Sequence, residues 1–365
     1  MADAKATAQA VALVPPRAGP PPAPINRGET SLPSVAETPV SRQPEHLEAW
    51  NSVRELALKQ LNRFASLEPK VLRGDDPDAI HDMRVASRRL QQMLDLAHPK
   101  PRPREVRRLR RSIQRCRRAL GDVRNCDVLL GRVRIFLKRK RSARREAWTA
   151  VLHYLQARRS ESLQKGLRKL SKVNLAIFYV NMKECLAQVG SAPVPGRHLH
   201  ALPPAELPSP GQFPERLAQV LEDAWNRFEE QIDLSHRDPR GPVIHGARIA
   251  AKHLRYLLEV VHAFEVPGSV EALAWLRDLQ QHLGDWHDLE VLEQMMIEMI
   301  ARPDFLREHV PLVMQLEKLV LRNRALKQEF QEHYFQMTGD SADLQRLKNW
   351  VGYLLESPSA AFARG

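Results

Sequence analysis

Ile80-His81-Asp82-Met83-Arg84-Val85-Ala86-Ser87-Arg88-Arg89-Leu90 is the stretch on which the reading of this chain turns. It returns as Ile244-His245-Gly246-Ala247-Arg248-Ile249-Ala250-Ala251-Lys252-His253-Leu254, followed by Arg255-Tyr256. Both copies fit I-H-x-x-R-[VI]-A-x-[RK]-x-L, and the second lies 164 residues after the first. A gapless match of this kind points to one structural unit used twice. In a helix, positions i, i+3, i+4 and i+7 share a face. His81, Arg84 and Arg88 therefore line up, as do His245, Arg248, Lys252 and, a turn on, Arg255. Val85, Ala86, Leu90, Met93 and Leu94 are expected on the packed face of the first copy, and Ile249, Ala250, Leu254, Leu257 and Leu258 on that of the second. Each copy reads as an amphipathic helix with a packed side and a cationic side. A basic stripe on one helix is ordinarily a solvated face, but solubility alone does not require the same cations at the same spacing twice.

A second pair of motifs follows. Leu120-Gly121-Asp122-Val123-Arg124-Asn125 matches Leu283-Gly284-Asp285-Trp286-His287-Asp288 at an offset of 163, so the copies stay in step over about 50 residues. Leu-Gly-Asp reads as a helix end at Gly with Asp capping the next helix, a structural hinge rather than a site.

Composition bounds the partners. The chain has 365 residues, 43% hydrophobic and 6% aromatic, with a formal net charge of +13. The charge is uneven: residues 84–145 hold 19 Arg and 3 Lys against 4 Asp/Glu, whereas residues 213–356 hold 16 Lys/Arg against 24 Asp/Glu. An anionic partner is the expectation, and Arg248, Lys252 and Arg255 form a local cationic exception in the acidic half. Cys116, Cys126 and Cys185 have no metal spacing and suggest reduced thiols in a cytoplasmic protein. No apolar run approaches the roughly 20 residues of a membrane span, and the short Ala-Val-Ala-Leu-Val segment at 10–14 is too short for a secretory signal.

Strand signals are absent, so the fold class is all-α. Residues 1–43, rich in Ala and Pro, read as a disordered tail. Helices are expected at 44–68, 79–97 with Asp78 as N-cap, 104–120, 124–139, 143–170 and 172–189, forming a first half at 44–189. Residues 190–212, with six Pro and three Gly, read as a linker. The second half, 213–356, carries helices at 213–234, 243–263, 268–283, 287–301, 304–337 and 341–356, before a short tail at 357–365. Short connections favour antiparallel neighbours. The helix at 104–120 has a buried seam of Val106, Leu109, Ile113, Cys116 and Leu120. Arg104, Arg108, Arg111, Arg115 and Arg118 flank it on one side, and Arg107, Arg110 and Arg117 on the other. Like charges at i,i+4 repel by roughly 0.2–0.5 kcal/mol a pair, so an anionic ligand is the expected counter-charge. The basic run from Lys138 to Arg145 reads as an exposed connection.

Two copies of the histidine motif, each followed by L-G-D-x-x-[DN], resemble the CHAD proteins, named for a conserved-histidine α-helical domain. The resemblance spans roughly residues 44–356. It implies two pseudo-symmetric antiparallel helical bundles (tandem four-helix-bundle repeats) whose basic residues line a central pore or groove. It also implies binding of inorganic polyphosphate and association with polyphosphate granules and their proteins. On that footing the binding residues are His81, Arg84, Arg88, Arg89, Arg108, Arg111, Arg115, Arg118, His245, Arg248, Lys252 and Arg255. Arginine suits the task because its planar guanidinium makes paired, charge-assisted bonds to phosphate oxygens. The two histidines either donate to phosphate, more strongly when protonated, or hold neighbouring groups.

Two departures from symmetry stand out: Gln91 where the second copy has Arg255, and Arg89 where it has His253. Some CHAD domains are fused to a triphosphate-tunnel hydrolase with an E-x-E-x-K strand, which this chain lacks. No P-loop, H-E-x-x-H or G-x-S-x-G stands in the chain. The expectation is a non-catalytic binder without cofactor or metal, cytoplasmic and not membrane-bound. Nonspecific nucleic-acid binding is the rival, weakened by the scarcity of aromatics for stacking in the basic region. A polyphosphate hydrolase is a further rival.

Overall fold

Twelve helices account for the regular structure of the described residues, and no strand occurs among them. The computed structural model describes residues 43–138, 144–189 and 213–359. The readings of a disordered tail at 1–43, the 190–212 linker, the middle of the 138–145 basic run and the end of the C-terminal tail fall outside those residues.

The first half is α1 (Gln43–Arg73), α2 (Pro77–Ala97), α3 (Arg104–Ala119), α4 (Gly121–Lys138), α5 (Arg145–Leu170) and α6 (Leu175–Ala187). The second is α7 (Phe213–Arg237), α8 (Gly241–His262), α9 (Ser269–Ile300), α10 (Pro303–Glu308), α11 (Val310–Thr338) and α12 (Ala342–Glu356). The described residues form one compact unit. Across the halves α1 packs on α7, α2 on α8, α4 on α9 and α5 on α11. By the 163 offset α4 corresponds to the later part of α9.

One core runs across both halves, from Trp50, Phe64 and Leu94 to Phe213, Phe228 and Leu257. The Trp50 and Phe213 rings meet edge-on at 5.0 Å and join α1 to α7. A second core gathers Leu129, Val133 and Val151 against Leu292, Met296, Leu316 and Leu319. All three cysteines are buried. Burial pushes their thiols up, to about 12 for Cys116 and Cys185 and about 11 for Cys126, so they behave as apolar core groups.

Several local expectations are corrected. The cap of α2 is Asp76, not Asp78: its side chain accepts from the Asp78 and Ala79 amides at 2.9 and 3.0 Å, and Pro77 opens the helix. Val85 is only partly buried and Ile249 is 46% exposed, so that motif position is not on the packed face. The stripe follows Ile80, Met83, Ala86, Leu90 in α2 and Ile244, Ala247, Ala251, Leu254 in α8, at helical spacing. The Leu-Gly-Asp hinge exists in one half only. Leu120 interrupts the helix between α3 and α4, whereas α9 runs unbroken through Leu283-Gly284-Asp285. Asp285 cannot cap there, because its carboxylate accepts from Gln281 at 3.0 Å and pairs with Arg132. The expected 304–337 helix breaks at His309, since Pro311 in the first turn of α11 has no amide to donate back into α10.

Candidate functional site: a cationic cluster between the two motif helices

Packing of α2 on α8 brings the two copies of the motif together. Arg88 lies within electrostatic reach of Arg84 on its own helix, of Arg117 on α3, and of Arg248 and Lys252 on α8. Arg84 also reaches Lys252 and Arg124. The carboxylates that act on these groups are Asp122 on Arg84 and Asp288 on Arg248 and Lys252. The cations outnumber them.

The cluster is also partly desolvated. Burial, then the neighbouring cations Arg88, Arg117 and Arg124, pull the Arg84 guanidinium down to about 10. Burial does the same to Arg248, also to about 10, with Asp288 opposing and Arg88 adding to the fall. Lys252 is lowered well below the ordinary lysine value by burial and by Arg248 and Arg88. Asp288 is raised by burial against the pull of Arg132 and Arg248. The buried Nε of Arg248 has no hydrogen-bond partner among the described residues. A donor left unsatisfied in this way costs about 1–3 kcal/mol. An anion entering the cluster would satisfy that donor and offset the repulsion together.

The histidines sit at the edge of the cluster. His81 is lowered by burial and by Arg124 and Arg88, against Asp82 and Asp78. His245 is lowered by burial, Arg248 and Lys252, and its ring lies 4.8 Å from that of His287. His287 is driven to about 3, chiefly by burial and then by Arg248, His245 and Lys252.

The remaining expected site residues are distributed differently. Arg89 pairs with Glu259 at 3.0 Å, and Arg255 with the same carboxylate at 2.7 Å. Arg255 also lies 4.9 Å over the Tyr256 ring and donates to Gln280 Oε1 at 2.7 Å. Arg108, Arg111, Arg115 and Arg118 are exposed along the outer face of α3. They form a solvated row and not part of the cluster around Arg88.

Residues overlooked in the motif reading complete the site. Arg117 donates to Gln91 Oε1 at 3.0 Å, while Arg84 donates to the Arg117 carbonyl. By the 164 and 163 offsets, Gln91 corresponds to Arg255 and Arg117 to Gln280. The Arg–Gln pair is thus present in both halves with its partners exchanged between helices. An acid at corresponding positions also holds a cation in each half, without exchange: Asp127 holds Arg159 at 2.5 Å, and Glu290 holds Lys327 at 2.6 Å. Arg124 and His287 likewise correspond, so the second motif lies in the site and not only at a helix junction. The offset contained this signal, but only packing shows which offset partners face the cluster. Among the described residues, no group of three or more His, Cys, Asp or Glu side chains could hold a metal ion.

These features define an all-helical protein with a motif used twice and a shared cationic cluster between its copies. The CHAD domain family model matches residues 55–296, two thirds of the sequence, and the chain belongs to that family. The match ends within α9, so α10, α11 and α12 lie beyond it although α11 packs on α9 and α12 on α7. Among solved structures, the chain is similar to the CHAD domain from the plant Ricinus communis: 22% identity, 80% of this chain and 92% of that one covered, TM-score 0.57. It is also similar to PptA from Streptomyces chartreusis: 14% identity, 80% and 99% covered, TM-score 0.56. No match among curated proteins reaches significance. No helix among the described residues is long and apolar enough to cross a membrane.

Proposed function

We propose that this chain binds inorganic polyphosphate, without hydrolysing it, in a groove that includes the cationic cluster between α2 and α8. One observation carries the reading: Arg84, Arg88, Arg248 and Lys252, two from each motif copy, share one partly desolvated cluster whose acidic neighbours are too few to neutralise it. A phosphate chain supplies closely spaced charge with no base edges to be read, and guanidinium groups engage it by charge-assisted bonds. The outer row on α3 would extend the path of a long chain. Family membership supports the same ligand class, and association with polyphosphate granules in the cytoplasm belongs to this proposal.

Nonspecific nucleic-acid binding is the second reading, and the exposed arginines of α3 favour it. Against it, Phe136 and Trp148 stack on each other at 4.8 Å beside the basic region, which leaves less ring surface for bases. The test is long-chain polyphosphate binding at near-physiological salt with double-stranded DNA as competitor. It compares wild type with the variant Arg84→Ala, Arg88→Ala, Arg248→Ala, Lys252→Ala, and monitors phosphate release in parallel. The expected result is binding that resists DNA, no phosphate release, and at least a thousandfold loss in the folded variant: that is about 4 kcal/mol, less than four charge-assisted bonds at about 1.5–3 kcal/mol each would forfeit. Equal competition by DNA, or undiminished binding by the variant, would make the groove scaffolding.

A further inference from the structure

The two halves fill one position of the site with different chemistry, Arg124 in the first and His287 in the second. In the first half, His81 faces Arg124 on α4 and Arg88 on its own helix, and the carboxylates of Asp82 and Asp78 favour its charged form. Asp82 is itself held by Arg63 of α1 at 2.7 Å. In the second half, the His245 and His287 rings lie 4.8 Å apart. Arg248 and Lys252 of α8 act on both rings. Behind those two cations stand Arg88 and Arg84 of α2. Asp288, the acid nearest in sequence to His287, is engaged by Arg132 of α4 at 3.2 Å and does not act on either ring.

The first half therefore offers a fixed cation where the second offers an imidazole pair against a wall of positive charge. Burial and those cations disfavour charge on that pair. An anion inserted among Arg248, Lys252 and Arg88 reverses the local field, which favours protonation of the nearest imidazole. Building on the polyphosphate reading above, we infer that the two halves engage phosphate in different charge states. The first half binds through permanent guanidinium charge, and the second takes up a proton on the His245–His287 pair as the anion enters. Inner phosphates of a long chain keep their single charge through this range, so the proton comes from solvent to the protein.

The sign follows from linkage. The free imidazoles are depressed below the ordinary histidine value and the bound ones are restored towards it or above. Binding then takes up protons between the two values, and affinity rises as pH falls through that window. Each proton taken up tightens binding by up to about tenfold per pH unit.

Calorimetry of the full chain with long-chain polyphosphate at pH 6, in two buffers of different ionisation enthalpy, counts the protons directly. Wild type is expected to take up protons. His287→Arg, which installs the first half's chemistry, should lose at least half of that uptake and show a flatter pH profile. His287→Gln and His245→Gln serve if the arginine disturbs folding; both should lose uptake and weaken binding at pH 6. Binding by wild type without proton uptake overturns the inference and leaves polyphosphate recognition standing. So does unchanged uptake in both glutamine variants, which would assign the proton to Lys252. Failure of wild type to bind at all removes the underlying reading instead.

Discussion

Two groups of arginines are drawn into the interior of this protein, and they are balanced in opposite ways. At the end of α2, the buried Asp95 forms an ion pair with Arg102 at 3.0 Å and accepts from Arg110 at 2.5 and 2.8 Å, while Arg216 of α7 donates to the Asp95 and Leu96 carbonyls at 3.0 Å. In that network the carboxylate and carbonyls come from the chain itself, although the buried Nε of Arg102, like that of Arg248, has no partner among the described residues. A few turns towards the start of α2, Arg84 and Arg88 face Arg248 and Lys252, and the carboxylates within reach are fewer than the cations. The first arrangement fastens the chain segment after α2 to α3 and α7. The second leaves charge that the fold does not neutralise, and the proposed anion site rests on that excess.

The contrast is broken most forcefully at Asp95. Asp95→Ala strands two buried guanidiniums and is expected to cost roughly 3–5 kcal/mol of stability in denaturant unfolding, the usual cost of removing one partner from a buried ion pair. Polyphosphate should leave that loss largely unrepaired, because the stranded cations lie outside the groove. A loss below about 1 kcal/mol would mean that solvent already screens the network.

Lys252→Met should do the reverse. Removing a buried cation that faces two or three others is expected to stabilise the anion-free protein by about 1–3 kcal/mol while weakening polyphosphate binding. Because Lys252 is depressed in the folded state, the unfolded chain binds more protons, and wild-type stability should climb with pH towards the ordinary lysine value. The methionine variant should lack that climb, and parallel curves would place Lys252 in a better solvated setting.

The histidines give a smaller effect of the same sign. His245 and His287 are depressed on folding, so their contribution is intact above the ordinary histidine value and declines as pH falls through it towards about 3 for His287. The slope is at most about 1.4 kcal/mol per pH unit for each ring, less where water screens it. Thermal melts at pH 7 and pH 5, with and without polyphosphate, check this: the acid loss should shrink when the anion is present.

The smallest effect is expected on the outer face of α3. Replacing Arg108, Arg111, Arg115 and Arg118 with Ala should weaken polyphosphate binding only about two- to fivefold at physiological salt, since exposed charges are screened. The dependence on salt should fall with it. A loss as large as that of the groove variant would move the main contact to this face.

The repeat itself was fully legible in sequence. Helical periodicity placed His81, Arg84 and Arg88 on one side of α2, and the second copy did the same on α8, because three- and four-residue spacing is a local property of the helix. The family resemblance rested on the same residues, and the family match agrees with it. What failed was local in another way. The exposed Ile249 and the unbroken α9 were misjudged because neither a β-branched residue nor a Gly-Asp pair reveals by itself which surface a helix will bury.

The residues alone thus determined an all-α chain with a twice-used cationic helix and an excess of positive charge. Tertiary structure decided which of its many arginines are spent internally and which are left over. Arg110 is neutralised by Asp95, Arg89 and Arg255 share Glu259, and Arg108 stays in water, although all four look alike in the sequence. The physical reason is that a charge's effect depends on its distance to other charges and on the water removed around it. Both are set when α2 packs on α8 and α4 on α9, between segments more than a hundred residues apart.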